Sequence, residues 1–224
     1  MENIVKQLNY IVSKIPDRVK LIAVSKTKSS EIIQLAYSAG QRVFGENKAQ
    51  ELESKYNILP KDIEWHFIGH LQTNKVKYIA PFVSLIHSID SFKLLAEVNK
   101  QAQKNNRIID CLLQFYIAQE ETKFGLDLDE ANLLLCSTEY AELKNVRICG
   151  VMGMATYTDN ELQIREEFAN LKKIFLELKK NHFPTMEHFK EISMGMTDDF
   201  QIAIEEGSTM VRIGSAIFGA RGGN

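Results

Sequence analysis

The chain has 224 residues, 45% hydrophobic and 25% charged, the make-up of one folded domain large enough for an α/β barrel. Its formal net charge of −2 gives no basic face for nucleic acid, and no apolar stretch is long enough to cross a bilayer. Three cysteines, Cys111, Cys136 and Cys149, with no C-x-x-C pair, argue against a disulfide scaffold and a zinc site. Cys111 and Cys149 sit in or beside apolar runs and read as small hydrophobes, and the reducing cytoplasm is the expected compartment.

Residues 1–14 carry apolar side chains at helical spacing without a cleavable leader pattern, which predicts an N-terminal helix. Eight short runs rich in Val and Ile then follow at residues 20–25, 42–45, 64–68, 83–89, 107–117, 146–152, 188–193 and 209–213. Helical patterns lie between them at 29–39, 48–56, 73–80, 91–105, 128–139, 162–180 and 198–205. Continuous apolar strands alternating with helices are the mark of a parallel sheet buried on both faces. Ser29 or Ser30 is placed to cap the helix that begins at Glu31, and Thr197 precedes the acids Asp198 and Asp199 of another first turn. Gly40 and Gly207 stand where helices stop. No linker or low-complexity tract divides the chain. The first βα turn, Ser25-Lys26-Thr27-Lys28, lacks the glycines of a dinucleotide fingerprint. Eight strands in strict alternation either close into a barrel or stay an open doubly wound sheet; the count of eight favours closure, a single (β/α)8 barrel of the TIM type spanning residues 1–224.

Lys26 is the sharpest chemical signal. An apolar strand delivers its ammonium to the C-terminal end, where parallel barrels build their sites. Ile22, Val24 and Lys26 share one face by alternation. If that face looks inward, burial lowers the amine pKa and frees a nucleophile for imine formation; the competing reading is a solvated loop lysine. A second signal is the repeated strand–glycine–helix junction, first at Ser193-Met194-Gly195 and then at Gly214-Ser215. Two such junctions on strands 7 and 8 form a phosphate cup in many barrels, with Ser215 adding a hydroxyl donor; ordinary turn punctuation is the alternative. Arg212 lies inside an apolar strand, where a guanidinium needs a partner. Barrel closure would bring it beside Lys26, facing either an acid or an anionic or heterocyclic ligand.

The remaining candidates are plainer. His66 and His70 have i,i+4 spacing but fall on a strand and turn without the glutamate of a zinc motif. Met152 and Met154 either flank a planar ligand or belong to the core. Asn47 offers a polar contact after strand 2, or caps the next helix.

The runs Ala23-Val24-Ser25-Lys26-Thr27-Lys28, Phe44-Gly45-Glu46-Asn47, His66-Phe67-Ile68-Gly69-His70-Leu71-Gln72 and the segment from Met210 to Arg221 resemble the pyridoxal phosphate homeostasis proteins, in order and over nearly the whole chain. That resemblance implies the alanine racemase type of barrel (fold type III), with pyridoxal 5′-phosphate held as a Schiff base on Lys26. It further implies that Ser193, Gly195, Gly214 and Ser215 line the phosphate. Arg212 would face the pyridine nitrogen or the phosphate edge, Asn47 would lie near the ring, and Met152 would contact it. The sequence departs from many relatives at Ala155-Thr156, where they carry a proline. Racemases of this type carry a second, mostly β domain that supplies a catalytic tyrosine, and the residues after strand 8 here are too few to build it. The implied function is a carrier in vitamin B6, amino-acid and keto-acid homeostasis, with apo enzymes as recipients; proximity to Lys26 alone suggests Lys28 as a relay, and the missing second domain, a familiar dimerisation surface, favours a monomer. A minimal amino-acid racemase and a Schiff-base aldolase are the rival readings.

Overall fold

Residues 2–118 and 125–219 are described by the computed structural model. The strands are β1 (Lys20–Val24), β2 (Val43–Glu46), β3 (Glu64–Phe67), β4 (Leu85–Ile89), β5 (Ile109–Gln114), β6 (Val146–Met152), β7 (Glu191–Ser193) and β8 (Met210–Ile213). All pair in parallel and in sequence order, and β8 returns to β1 to close the barrel. Ten helices are seen among the described residues: α1 (Glu2–Val12), α2 (Ser30–Ser38), α3 (Ala49–Ile58), α4 (Val76–Ile79), α5 (Phe92–Lys104), α6 (Leu128–Cys136), α7 (Thr138–Ala141), α8 (Glu161–His182), α9 (Phe200–Glu205) and α10 (Ser215–Phe218).

Alternation along each strand divides the core in two. Outward-facing Ala23, Phe44, Trp65, Phe67, Ile86, Val211 and Ile213 join one continuous cluster with the inner faces of the helices. Inward-facing Ile22, Leu85, Leu112, Cys149, Met152 and Met210 form a small second cluster inside the barrel. Cys111 and Cys149 are buried and free, as expected of small hydrophobes.

The predicted elements are recovered, with local differences. The apolar run at 107–117 is a strand only over Ile109–Gln114, and Phe115 continues as an isolated bridge to Leu126. The helix expected at 73–80 starts as a 3-10 turn, Thr73–Lys75, before α4. The helix expected at 128–139 breaks at Ser137, which ends α6 and caps α7 through its side chain. Ser29 sits at the N-cap of α2 without a capping bond, because its hydroxyl is engaged by the Glu31 carboxylate. Asp127 and Glu130 form a reciprocal capping box at α6. Ala220 and Arg221, which end the last motif, lie outside the described residues.

One backbone position admits no side chain. Gly150 has φ of +155°, and a Cβ there would lie 1.8 Å from the Glu191 carbonyl oxygen across the β6–β7 pairing. Relief of that overlap requires backbone to shift, so Gly150→Ala is expected to destabilise the fold by about 3 kcal/mol or more. Urea unfolding of the variant beside the parent protein measures it, and an unchanged midpoint would contradict this packing.

Candidate functional site

A cavity of about 440 Å³ opens at the C-terminal mouth of the barrel, and Lys26, Asn47, Arg212, Gly214 and Ser215 all line it. In-register pairing of Ile22 with Arg212 sets Val24 beside Gly214, and Lys26 follows in the turn just past the end of β1. Lys26 is half-buried at this rim. Val24, Ile68, Met154, Tyr157 and Met196 give the cavity apolar wall.

The Lys26 turn is held from below by a buried charged cluster. Ser25 donates its hydroxyl to Glu46 Oε1 at 2.6 Å. Lys55 Nζ donates to Glu46 Oε1 and Glu51 Oε1, each at 2.7 Å, and to the Ser25 carbonyl at 2.8 Å. The Thr27 amide, at a positive φ of 65°, donates to Glu51 Oε1 at 2.6 Å. Burial pushes the Glu46 carboxyl up, and Lys55 opposes that shift. These bonds fix both peptide neighbours of Lys26. Sequence reasoning missed Glu46, Glu51 and Lys55; the only trace was the i,i+4 spacing of Glu51 and Lys55 on α3.

Beneath the cavity floor lies a chain of polar groups. Arg212 Nη1 donates to Ser193 Oγ at 2.6 Å, and Nη2 donates to the Gly153 carbonyl at 3.0 Å. Ser193 Oγ is 2.9 Å from His87 Nδ1, and His87 Nε2 is 3.0 Å from His66 Nδ1. All four side chains are buried. Arg212 therefore meets a hydroxyl and a carbonyl where an ion pair was one expectation, and the nearby Asp199 acts on it only through space. Burial brings its pKa down to about 10, so the guanidinium stays charged at neutral pH. Burial also holds both imidazoles neutral, with His66 drawn down to about 3 and His87 well below its usual value.

Three expected contacts fall elsewhere. Ser193 is fully buried under the floor as the acceptor for Arg212, away from the cavity lining. Met152 belongs to the interior cluster, and Met154, two residues on and 43% exposed, takes the place at the wall. Gly195 shapes the turn after β7: its φ is +97°, a Cβ would meet the Ala203 Cβ at 2.6 Å, and its carbonyl accepts from the Arg212 amide. That turn carries Thr197 to the cavity, where Ser215 Oγ donates to Thr197 Oγ1 at 3.0 Å. Asp199 Oδ1 accepts from the Met196 amide and holds the turn shut. Asn47 contributes a buried side-chain oxygen with no hydrogen-bond partner among the described residues. His70 lines the cavity with Nδ1 3.2 Å from Asp90, while His66 points into the barrel, so the i,i+4 pair never converges.

A (β/α)8 barrel with a lysine at the mouth of its first strand and glycine turns after the last two defines a class. It matches the family model described as the N-terminal domain of alanine racemase over residues 1–222. Within that class the chain belongs to the pyridoxal phosphate homeostasis protein family. It is 44% identical to the pyridoxal phosphate homeostasis protein of Aquifex aeolicus, over 90% of this chain and 87% of that one. It is 38% identical to that of Haemophilus influenzae, over 98% and 96%. The structure of PipY from Synechococcus elongatus with PLP bound superposes with a TM-score of 0.86 at 33% identity, covering 96% of this chain and all of that one. The alanine racemase of Bartonella henselae shares the fold alone, with a TM-score of 0.74 at 17% identity and 59% of its length covered.

Two measurements check the site. His66 and His87 bind fewer protons folded than unfolded, so stability is full above their unfolded pKa near 6.5 and declines as pH falls below it, toward the folded value of about 3 for His66. Each imidazole contributes a slope of up to about 1.4 kcal/mol per pH unit. Urea unfolding at pH 7.5 and pH 5 reads this loss, and His66→Gln is expected to reduce it. Lys55→Met strands Glu46 without its counter-charge and is expected to lower stability by about 3–5 kcal/mol, measured by the same unfolding. A neutral result would remove the cluster from its supporting role.

Proposed function

We propose that this protein binds pyridoxal 5′-phosphate through Lys26 and carries it to maintain the intracellular supply of the cofactor. The observation that carries the reading is that Lys26 shares one cavity with Arg212, Gly214, Ser215 and Asn47. The donor set fits the cofactor's three chemically distinct parts. A primary amine suits the aldehyde, and the chemistry the cofactor brings is condensation of that aldehyde with an amine, with release of water. The Ser215 and Thr197 hydroxyls, the glycine turn at Gly214 and the first amides of α10 suit the phosphate. The buried Asn47 oxygen is an acceptor for a donor on the ring side.

Arg212 presents a charged, donor-only group to the cavity floor. Directed at a pyridine nitrogen, it keeps that nitrogen unprotonated and weakens the ring as an electron sink, which favours storage over amino-acid chemistry. Ser193 acts through Arg212, Gly195 acts through the turn that carries Thr197, and Met154 serves the wall in place of Met152. The homeostasis proteins to which the chain is similar support the carrier reading over a racemase, because the racemase likeness is one of fold. Cytoplasmic residence as a monomer, with apo enzymes as recipients, completes the proposal; no described helix is long and apolar enough to cross a membrane.

An absorption band of the bound cofactor, lost in Lys26→Ala, is the expected outcome of adding pyridoxal 5′-phosphate to the purified chain. An identical band in the variant would refute the role of Lys26. Lys28 lines the same cavity as Lys26, and that nearness supports a relay for exchange with a recipient amine; its ammonium donates to the Gly219 carbonyl at 3.2 Å. Lys28→Ala is expected to retain the band but slow transfer to an apo enzyme. Unchanged transfer would remove the relay.

A further inference from the structure

The barrel has a second opening at its N-terminal mouth, with a cavity of about 280 Å³ floored by His66. That is below the usual size of cofactor and drug sites, and it suits a much smaller ligand. Six charged side chains line it, three basic (Lys20, Arg147, Lys190) and three acidic (Glu64, Asp110, Glu191). Two pairs are internal: Lys20 lies 3.5 Å from Glu64, and Arg147 grips Asp110 through Nε at 2.6 Å and Nη2 at 2.9 Å. Glu191 has one oxygen, Oε2, committed to the Thr209 hydroxyl, and Lys190 has no ion-pair partner among the described residues. One ammonium and half a carboxylate are thus left over, side by side in sequence.

His66 supplies the third group, and the polar chain above it decides which one. Arg212 can only donate, so Ser193 Oγ accepts from it. The Ser193 proton then has one acceptor within reach, His87 Nδ1. His87 must in turn carry its proton on Nε2 and give it to His66 Nδ1. His66 is left as the Nε2–H tautomer, and its ring lines the lower cavity. The opposite order would leave the Ser193 proton buried with no acceptor, which is costly. A permanent charge at one mouth of the barrel thereby fixes a hydrogen-bond donor at the other. His66 itself is only 2% exposed, so the donor is a built feature and not a surface side chain.

We propose that the N-terminal mouth is a second ligand site, for a small zwitterion of the α-amino acid class. The carboxylate of the ligand is received by the His66 N–H and Lys190, and its ammonium by Glu191. Neutral ligand and neutral cavity match, since three fixed charges of each sign line the walls.

N,N-dimethylglycine is the probe, because it keeps both charges but has no primary amine to condense with an aldehyde at the upper site. Binding is read by calorimetry on the full chain free of cofactor, so the outcome is separate from the fate of the Lys26 reading. Saturable binding is expected, with the His66 ring N–H resonance shifting on titration. Lys190→Ala and Glu191→Gln should each weaken it about tenfold, the effect of one charge-assisted hydrogen bond, while Lys26→Ala leaves it intact. Lys190 is exposed and Glu191 half-buried in β7, so urea unfolding of both variants is run beside the calorimetry, and a parental midpoint assigns the loss to the site. No saturable binding, parental affinity in both rim variants, or loss in Lys26→Ala alone would overturn the site. Acetate binding as tightly as the zwitterion would overturn the ligand class.

Discussion

Pairing of the first strand with the last is the constraint on which the molecule depends. β1 and β8 lie in register from Lys20 opposite Met210 to Ala23 opposite Ile213. Residues separated by almost the whole chain thereby become neighbours, and the cost in loop entropy is offset only when all eight strands are in place. Closure also removes both sheet edges, which would otherwise offer unpaired backbone groups to other chains. The candidate site is a direct product of that seam: Lys26 and Val24 come from one side, Arg212, Gly214 and Ser215 from the other.

Inside the seam the barrel is layered by polarity. Charged residues ring the lower mouth, an apolar waist of Ile22, Leu85, Leu112, Cys149 and Met210 follows, and Arg212 with the ligand-facing groups lies above. Such a waist would ordinarily isolate one mouth from the other. The His66–His87–Ser193–Arg212 chain crosses it, and every contact in that chain is 3.0 Å or shorter. A buried guanidinium and two buried imidazoles are tolerable because the imidazoles are neutral and each joint is bonded. The polar chain therefore gives Arg212 one orientation, which a solvated arginine would not have.

The lysine turn follows the same logic of support from behind. Its two flanking peptides are bonded to the Lys55 and Glu51 side chains of α3, and the positive φ of Thr27 is held by one of those bonds. Preorganisation of this kind lets a half-buried amine keep its place at the mouth of the barrel.

By itself the sequence determined the eight-strand alternation, the single barrel and the two ends that matter, because hydrophobic period and strand-end residues are local signals. Lys26, Gly214 and Ser215 were legible for the same reason: each stands at a strand terminus whose direction alternation dictates. Only the tertiary structure decided the depth of each residue. Met152 and Met154 are alike in sequence, yet Met152 lies within β6 and packs in the barrel interior, while Met154, two residues past the strand end, lines the cavity. Ser193 likewise proved to serve Arg212 from beneath, and Lys55 and Glu46 met in a buried pair, because contacts between β7 and β8 and between α3 and β2 follow no sequence period and form only once those elements pack.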